Sequence, residues 1–321
     1  MIVVAGHLCL DIIPALTSET EMQPGILVEA GKAQLSTGGA VSNVGISLHK
    51  LGADVRLVGK VGDDAFGRIV LDILSSHFLE GGATVDPFGD TSYTIVVSPP
   101  GHDRTFIHCP GTNDTFTAAD VPDSAMAGAS HLHFGYPPLM AAMSADGGAE
   151  LVSLFSRARS FGLTTSLDMS LPDPASKQGQ VNWEALLVNV LPLVDLFMPS
   201  EDELAYMLPT IGTEVPVLAA HCLALGAKEV VVKCGSLGVY GVGQDRVGHW
   251  QPCFHAEVVG TTGSGDATIA GFLYARSIGL PFAKCLEAGC AVGACCVEVA
   301  DSVSGIEPWQ VVKERFGLVT N

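Results

Sequence analysis

The stretch that decides the fold is Gly263-Ser264-Gly265-Asp266, which follows the apolar-rich Glu257-Val258-Val259 and runs into the apolar segment 267–275. This order predicts the end of a strand, a tight glycine turn and the start of a helix. The first amides of a helix are unpaired and carry a partial positive charge, so they attract anions. Glycines let the backbone approach a ligand closely. The sequence therefore predicts an anion-binding helix N-terminus.

The aspartate of this turn, Asp266, is open to two interpretations. As a helix N-cap it would need only helix-starting chemistry. Beside an anion site it could instead accept a proton from an attacking hydroxyl group, while the amides of Gly263, Ser264, Gly265 and Asp266 hold the charge of the group being transferred. The turn alone leaves both interpretations open.

The composition fits a large globular core and disfavours two kinds of partner. The chain has 321 residues, of which 48% are hydrophobic and 16% charged, enough for one large α/β domain or two modest ones. Its net charge is −18, and no stripe of lysine and arginine is available to neutralise phosphates. We therefore expect small-molecule ligands, no nucleic acid and no anionic membrane surface.

Cysteine usage and the N-terminus indicate a cytoplasmic protein. The nine cysteines are scattered, with no C-x-x-C pair and no zinc-like spacing with histidine, so buried reduced thiols are expected. Residues 1–6 lack a basic region, and Asp11 interrupts the apolar run, which predicts a first strand and not a signal peptide. No apolar run is long enough to predict a membrane span.

Short apolar runs alternate with helical patterns along the chain. The predicted strands are residues 2–4, 54–58, 94–97, 131–134, 164–167, 196–198, 229–233 and 239–242. The predicted helices are residues 41–51, 66–77, 148–161, 183–190, 201–208, 215–225 and 266–277. Such alternation predicts a mostly parallel central sheet flanked by helices on both faces.

Several glycine-rich segments occur in a characteristic order. Gly38-Gly39-Ala40-Val41-Ser42-Asn43 is followed by Leu51-Gly52-Ala53, by the segment 58–67 (VGKVGDDAFG) and finally by the turn at Gly263–Asp266. Together these segments resemble the two signatures of the ribokinase-like (PfkB) carbohydrate kinase family, and the likeness extends from the first strand past residue 300. The resemblance implies a single three-layer, doubly wound α/β domain over residues 1–321. It also implies ATP-dependent phosphorylation of a hydroxyl group on a small monosaccharide, with Mg²⁺ accompanying ATP and with Asp266 as general base.

Two segments, approximately 12–36 and 87–112, do not follow the alternation. In the second, residues 93–97 and 104–108 flank a loop, which predicts a β-hairpin. A simple surface hairpin would give the same pattern. In the resembled family these two insertions form a small β-sheet lid over the sugar, and a lid excludes water from the reaction. Such a sheet could also pair edge to edge in a homodimer.

Candidate sugar-binding residues follow from the resemblance. Asp11, Gly39 and Asn43 match sugar-contacting positions of the family's pattern, and Gly38 adjoins them. A carboxylate can accept hydrogen bonds from two sugar hydroxyls, and an amide can both donate and accept. A solvated aspartate and a helix-capping asparagine are the alternatives. Arg104 and His108 of the hairpin are weaker candidates, because charges on exposed hairpins commonly protect strand edges.

Candidate nucleotide and metal residues follow in the same way. Lys233, Gly235 and Gly238 lie in a segment that looks like the family's strand and turn bordering ATP, and Thr261 precedes the glycine turn; a plain hairpin turn would look similar. The resemblance makes Glu203 the residue that orders Mg²⁺. The family usually has N-x-x-E here, but this chain has Ser200 in place of the asparagine, and an acidic first helical turn is the alternative explanation.

Two departures from the family pattern bear on cofactor and substrate. Gly260 replaces an aspartate that helps the family bind an activating monovalent cation, so we expect weak K⁺ activation unless Asp301, Ser302 or Ser304 supplies ligands. No arginine follows Asp168 within the next six residues, which favours a neutral sugar over an acidic one.

The sequence leaves two alternatives to a sugar kinase open and disfavours two others. A nucleoside kinase of the same fold would need an apolar pocket for the base, which Tyr93 and Phe106 could supply. A kinase-derived sugar sensor without activity is a third possibility, although a pure binder needs no base beside an anion hole. The chain has no G-x-G-x-x-G after its first strand and no phosphate-binding P-loop, which disfavours a dinucleotide-dependent oxidoreductase and a P-loop kinase.

Overall fold

The computed structural model describes residues 1–16, 24–79, 81–99 and 105–319, and all structural statements refer to these. Its strands are β1 Ile2–Gly6, β2 Cys9–Ile13, β3 Gln34–Gly38, β4 Val55–Gly62, β5 Ala83–Asp86, β6 Tyr93–Val97, β7 Thr105–Cys109, β8 His131–Gly135, β9 Thr164–Asp168, β10 Leu196–Phe197, β11 Glu229–Lys233, β12 Val239–Val242 and β13 Gly248–Gln251. Its helices are α1 Ala40–Leu51, α2 Ala65–Ser76, α3 Asp123–Met126, α4 Ala141–Ser144, α5 Ala149–Ser160, α6 Trp183–Val190, α7 Glu201–Met207, α8 Val215–Ala224, α9 Ser264–Ser277, α10 Phe282–Val297 and α11 Trp309–Phe316.

The larger sheet has nine strands in the order β13-β12-β11-β10-β9-β8-β1-β4-β5. Every neighbouring pair from β11 to β5 is parallel, and β12 and β13 are added antiparallel at one edge. The carboxyl ends of the parallel strands therefore meet along one edge of the sheet, where ligands bind in folds of this kind.

Helices cover both faces of this sheet, as the sequence predicts. Side chains of a strand alternate between the two faces. In β1, Val3 and Ala5 join one buried hydrophobic cluster, while Ile2 and Val4 join the other. The predicted three-layer α/β architecture is confirmed.

The smaller sheet has four strands in the order β3-β2-β6-β7. Strands β2 and β3 are antiparallel, β2 and β6 are parallel, and β6 and β7 form an antiparallel hairpin. This sheet uses the two segments that break the helix–strand alternation, together with residues just outside the first, because β2 begins at Cys9 and β3 ends at Gly38.

The predicted strand end before the glycine turn is wrong. Val258 and Val259 are 67% and 65% exposed and lie in no strand. The amide of Val259 donates to the carbonyl of Val297 in α10, so this extended segment is held by a helix end and not by the sheet. Apolar β-branched residues predict a strand only where a partner strand is available.

The cysteines and the length of the helices bear on two expectations from the sequence. Seven of the nine cysteines are buried; Cys109 is partly buried and Cys253 is exposed, and all nine are free thiols. None of the helices in the described ranges combines the length and apolar character needed to cross a bilayer.

Candidate active site

The candidate site lies where the carboxyl ends of the parallel strands face the N-terminus of α9. Tyr136 follows β8, Asp168 ends β9, and Lys233 ends β11. Asp266 projects from the first turn of α9. The fold thus brings four side chains from distant parts of the sequence to one edge of the sheet.

The carboxylate of Asp266 is the centre of a hydrogen-bond network. Asp266 is 3% exposed. The hydroxyl group of Tyr136 lies 2.8 Å from Oδ1 and 2.7 Å from Oδ2, and Nδ2 of Asn43 donates to Oδ2 over 3.0 Å. Ser302 in turn donates from Oγ to Oδ1 of Asn43 over 2.8 Å, which fixes the orientation of the amide. Burial raises the pKa of Asp266, and the bonds from Tyr136 and Asn43 oppose that rise.

The N-cap interpretation of Asp266 is wrong. The N-cap of α9 is Gly263, in the left-handed region at φ 75°, and Asp266 is the third helical residue. The carboxylate of Asp266 binds side chains and not helix amides. The asparagine alternative fails in the same way, since Asn43 lies inside α1, whose N-cap is Gly39. Neither side chain therefore caps a helix.

The turn itself is closely packed. A Cβ atom at Gly263 would lie 2.3 Å from Cβ of Ser302, so glycine is required there for space as well as for its positive φ. Thr261 accepts hydrogen bonds at its carbonyl from the amide and the hydroxyl of Ser264. At Gly265 a Cβ atom would make only ordinary contacts, the nearest with Cδ of Lys233 at 3.5 Å. Lys233 therefore lies directly beside the helix N-terminus.

Lys233 is paired inside a cluster of carboxylates. Its Nζ donates to Oδ1 of Asp168 over 2.5 Å, and Asp168 is fully buried. Burial raises the pKa of Asp168, and the ammonium group of Lys233 opposes that rise. Burial acts to lower the pKa of Lys233, but the negative charge of Asp168 outweighs it, so the pKa of Lys233 is raised. Oδ2 of Asp168 has no hydrogen-bond partner among the described residues. The charges of Glu203 and Asp266 also act on this pair.

Glu203, the residue predicted to order the metal ion, takes part in a helix-capping interaction. With Ser200 it forms a capping box at the start of α7: Oε2 of Glu203 accepts from the amide of Ser200 over 2.7 Å, and Oγ of Ser200 accepts from the amide of Glu203. The acidic first turn is therefore a real local feature. Glu203 is nevertheless buried and close enough for its charge to raise the pKa of Asp168.

The predicted sugar residues surround Asp266 on the side of the smaller sheet. Asp11 lies on β2 opposite Ser36 of β3, and a Cβ atom at Gly38 would lie 2.4 Å from both of its carboxylate oxygens. Burial raises the pKa of Asp11 to about 6, and the charge of Asp266 acts in the same direction. At Gly39, with φ 89°, a Cβ atom would clash with His7. The two glycines thus leave room for Asp11 and His7 to face the site.

The weaker candidate His108 reaches His7, which directly follows β1. Its Nε2 lies 3.4 Å from Nε2 of His7, and its Nδ1 lies 3.0 Å from Oγ1 of Thr94. Burial lowers the pKa of both histidines, which keeps the pair neutral near pH 7. Arg104, the other hairpin candidate, lies outside the described residues.

The remaining nucleotide candidates form the turn between β11 and β12. Gly235 and Gly238 both have positive φ, of 52° and 99°, and a Cβ atom at Gly238 would lie 2.1 Å from the carbonyl oxygen of Gln251. Strands β11 and β12 are antiparallel, so this turn is a hairpin turn, as the alternative interpretation of the sequence predicts. Tyr93, considered for a nucleoside base, packs edge-on against Phe66, while Phe106 is exposed.

Three residues of the site are not among the candidates that the sequence supplied. Tyr136, Asp168 and His7 each follow or end a predicted strand of the sheet, which is a general signal for ligand-facing positions. None belongs to a recognisable motif. Only the strand order shows that they face one another.

Comparison with known proteins gives a consistent result. Residues 1–309 match the family model described as pfkB family carbohydrate kinase. Among curated proteins, 2-dehydro-3-deoxygluconokinase of Bacillus subtilis is 26% identical over 88% of this chain and 87% of its own length. Fructokinase-2 of Oryza sativa is 25% identical over 85% of this chain and 79% of its own.

Solved structures show the same fold. The crystal structure of a ribokinase from Thermotoga maritima superposes with a TM-score of 0.81 at 22% identity, covering 98% of both chains. The ribokinase of Arabidopsis thaliana, complexed with ribose and ATP, superposes with a TM-score of 0.79 at 22% identity, covering 99% of both chains. The likeness therefore extends over the smaller sheet as well as the larger one.

Proposed function

Because the chain belongs to the pfkB family of carbohydrate kinases, and is therefore a phosphotransferase acting on sugars, we propose that it transfers the γ-phosphate of ATP to a hydroxyl group of a small, neutral monosaccharide. The observation that carries this proposal is the buried carboxylate of Asp266. It lies in the first turn of α9 but is held by side chains instead of capping the helix.

In the proposed reaction Asp266 is the general base. It accepts the proton of the sugar hydroxyl as the hydroxyl oxygen attacks the γ-phosphorus, and ADP leaves with the electrons of the broken P–O bond. The backbone amides of Gly263, Gly265 and Asp266 would face the developing negative charge, and the amide of Ser264 would join them by releasing its 3.3 Å bond to the carbonyl of Thr261. A helix N-terminus suits this task because its first amides lack partners within the helix.

The charge around the pocket supports a neutral substrate. Asp11 and Asp266 both face the proposed sugar position, together with the amide of Asn43 and the glycines Gly38 and Gly39. Two carboxylates would repel an acidic sugar but can accept hydrogen bonds from neutral hydroxyl groups. The relatives include both a fructokinase and a 2-dehydro-3-deoxygluconokinase, so the comparisons leave the choice open.

On the nucleotide side, Lys233, Gly235, Gly238 and Thr261 are proposed to border ATP, with Lys233 reaching its phosphates. The site fits a magnesium ion carried in with ATP, because Asp168 and Glu203 bring two carboxylates next to the single ammonium group of Lys233, and Oδ2 of Asp168 has no hydrogen-bond partner among the described residues. Glu203 would hold this ion, partly through water, and the ion would neutralise phosphate charge. The described residues contain no group of three or more ligands that would hold a metal unaided.

The proposal is tested by replacing the base. We expect Asp266→Asn to lower kcat by roughly 10²–10⁴-fold while the protein stays folded, because the amide cannot accept the proton. ADP release is measured with ATP and Mg²⁺ on neutral sugars, sugar acids, phosphosugars and nucleosides, and thermal unfolding is measured alongside. Asp72→Asn, at an exposed position of α2, is the matched control and should keep full activity.

Each outcome distinguishes the candidates. Turnover of a neutral sugar that is lost in Asp266→Asn supports the proposal, whereas turnover of a sugar acid or a nucleoside contradicts its substrate class. Full kcat in Asp266→Asn would exclude the assignment of the base. Stabilisation by a sugar without any turnover would favour the sensor.

A further inference from the structure

The hydrogen bonds to Asp266 are distributed unequally over its two oxygens. Oδ2 receives the amide of Asn43 at 3.0 Å and lies 2.7 Å from the hydroxyl oxygen of Tyr136. Within the described part of the chain, Oδ1 has only the contact with the same hydroxyl group, at 2.8 Å. A phenol has one proton to donate, so it cannot make a full bond to both oxygens at once. One carboxylate oxygen can therefore be anchored while the other stays available.

The backbone of Tyr136 is held in an uncommon conformation. Its φ of 67° and ψ of 41° lie in the left-handed region, which is rare for a bulky aromatic residue. The conformation follows directly on β8, and the amide of Tyr136 donates to the carbonyl of Asp168 over 3.4 Å. Backbone outliers of this kind concentrate at functional sites, where surrounding contacts hold them.

The surroundings keep the phenol neutral and oriented. Burial raises the pKa of Tyr136 well above its ordinary value, and the charge of Asp266 adds to the effect. Tyr136 is therefore a proton donor throughout the working pH range. Its ring lies 6.0 Å from the ring of His7, centroid to centroid, and its hydroxyl group faces the carboxylate of Asp266.

From this geometry we propose that Tyr136 is a positioning residue for Asp266: with Asn43 it anchors Oδ2 and leaves Oδ1 to accept the proton of the substrate hydroxyl. This inference rests on the proposed function and deepens it. When the sugar enters, its O–H bond breaks toward Oδ1 and the oxygen keeps the electron pair for attack on phosphorus. The phenol keeps its own proton and remains on Oδ2.

Removing the hydroxyl group should change the basicity of Asp266. A hydrogen bond to a carboxylate stabilises its charged form, so Tyr136→Phe raises the pKa of Asp266 further. The base works only when ionised, and the acidic limb of kcat against pH therefore moves to higher pH. The other titratable groups whose charges act on Asp266 are Lys233, Glu203, Asp168, Asp11 and Cys296. Tyr136→Phe changes none of them.

The test compares Tyr136→Phe with the wild type and with Tyr206→Phe. Tyr206 also donates a phenol hydrogen bond, but to the carbonyl of Gly179, away from Asp266. In the plot of kcat against pH, we expect the acidic limb of Tyr136→Phe to lie at a pH about one unit higher than that of the wild type. The acidic limb of Tyr206→Phe should not move. A uniform loss of kcat at every pH, with the limb in place, would overturn the proposal.

A second measurement does not depend on turnover. The carboxyl carbon of Asp266, labelled with ¹³C and identified by its loss in Asp266→Asn, is titrated by NMR in the free protein. A higher pKa in Tyr136→Phe supports the anchoring bond, and an unchanged pKa refutes it. If the bond is supported but no sugar is phosphorylated, the proposed function has failed and the contact between Tyr136 and Asp266 has not.

Discussion

Gly260, two residues before Thr262 and the glycine turn, has no side chain with which to bind a cation. The three residues that could replace a missing carboxylate are already engaged. Asp301 accepts hydrogen bonds at both oxygens, from the amides of Val303 and Ser304 and from the hydroxyl of Ser304. Ser302 donates to Asn43. We propose that this chain has no efficient site for an activating monovalent cation.

This proposal predicts little response to potassium. Replacing NaCl by KCl at constant ionic strength should change kcat/KM by less than about twofold, because a bound cation needs several oxygen ligands. The measurement is the ADP-release assay with the preferred sugar. Gly260→Asp is the complementary variant; a Cβ atom there would lie 3.1 Å from the carbonyl oxygen of Val299, a contact that a small shift can relieve. Strong K⁺ stimulation of the wild type would exclude this interpretation.

At the scale of elements, the smaller sheet borders the candidate site. Its strand β2 carries Asp11, its strand β7 carries His108, and the hydrogen-bonded contact between His108 and His7 joins it to the larger sheet. At the described start of β7, Thr105 and Phe106 are exposed. We propose that this sheet closes over the sugar and excludes water from the reaction.

Closure predicts slower amide hydrogen exchange in the smaller sheet. With sugar at about 100 times its Kd, exchange in Tyr93–Val97 and Thr105–Cys109 should slow by about tenfold or more, because opening then requires release of the ligand. Gly248–Gln251, at the opposite edge of the larger sheet, is the internal control and should not respond. Unchanged exchange in both hairpin strands would argue against a lid.

At the scale of the molecule, the face of the smaller sheet that points away from His7 carries exposed apolar side chains at both edge strands. Ile107 on β7 is 50% exposed and Leu35 on β3 is 46% exposed, and the strand register puts them in the same cross-strand row. Strands β3 and β7 are the edges of the sheet, and an exposed edge can pair with the same edge of a second copy. We propose a homodimer formed through this sheet.

The dimer is tested by its mass in solution. Light scattering during gel filtration should give twice the chain mass of 33.3 kDa. Ile107→Lys should shift the mass toward the monomer, because the charge would lie in an apolar contact. Val188→Lys, at a similarly exposed position on α6, is the control and should leave the dimer intact. A monomeric wild type at high protein concentration would refute the proposal.

Much of the architecture follows from local patterns in the sequence. Alternating apolar runs and helical periods predict the parallel sheet and its two helical layers, and the boundaries of α6 match the prediction at both ends. The glycine turn predicts the start of α9 and singles out Asp266. These features are local, because hydrophobic period and turn chemistry act over a few residues. The apolar residues before the turn predict a strand that is not present, because a local pattern does not show whether a partner strand lies beside it.

The partners of Asp266 were decided only by the tertiary structure. Tyr136 is 130 residues away along the chain and Asn43 is 223 residues away, and Asp168 is 65 residues from Lys233. Local pattern has no means of pairing such positions. They meet because the strand order places the carboxyl ends of β8, β9 and β11 along one edge, opposite α1 and α9. The sequence by itself therefore determined the layers and singled out Asp266, whereas the long-range order of strands determined which side chains hold its carboxylate in place.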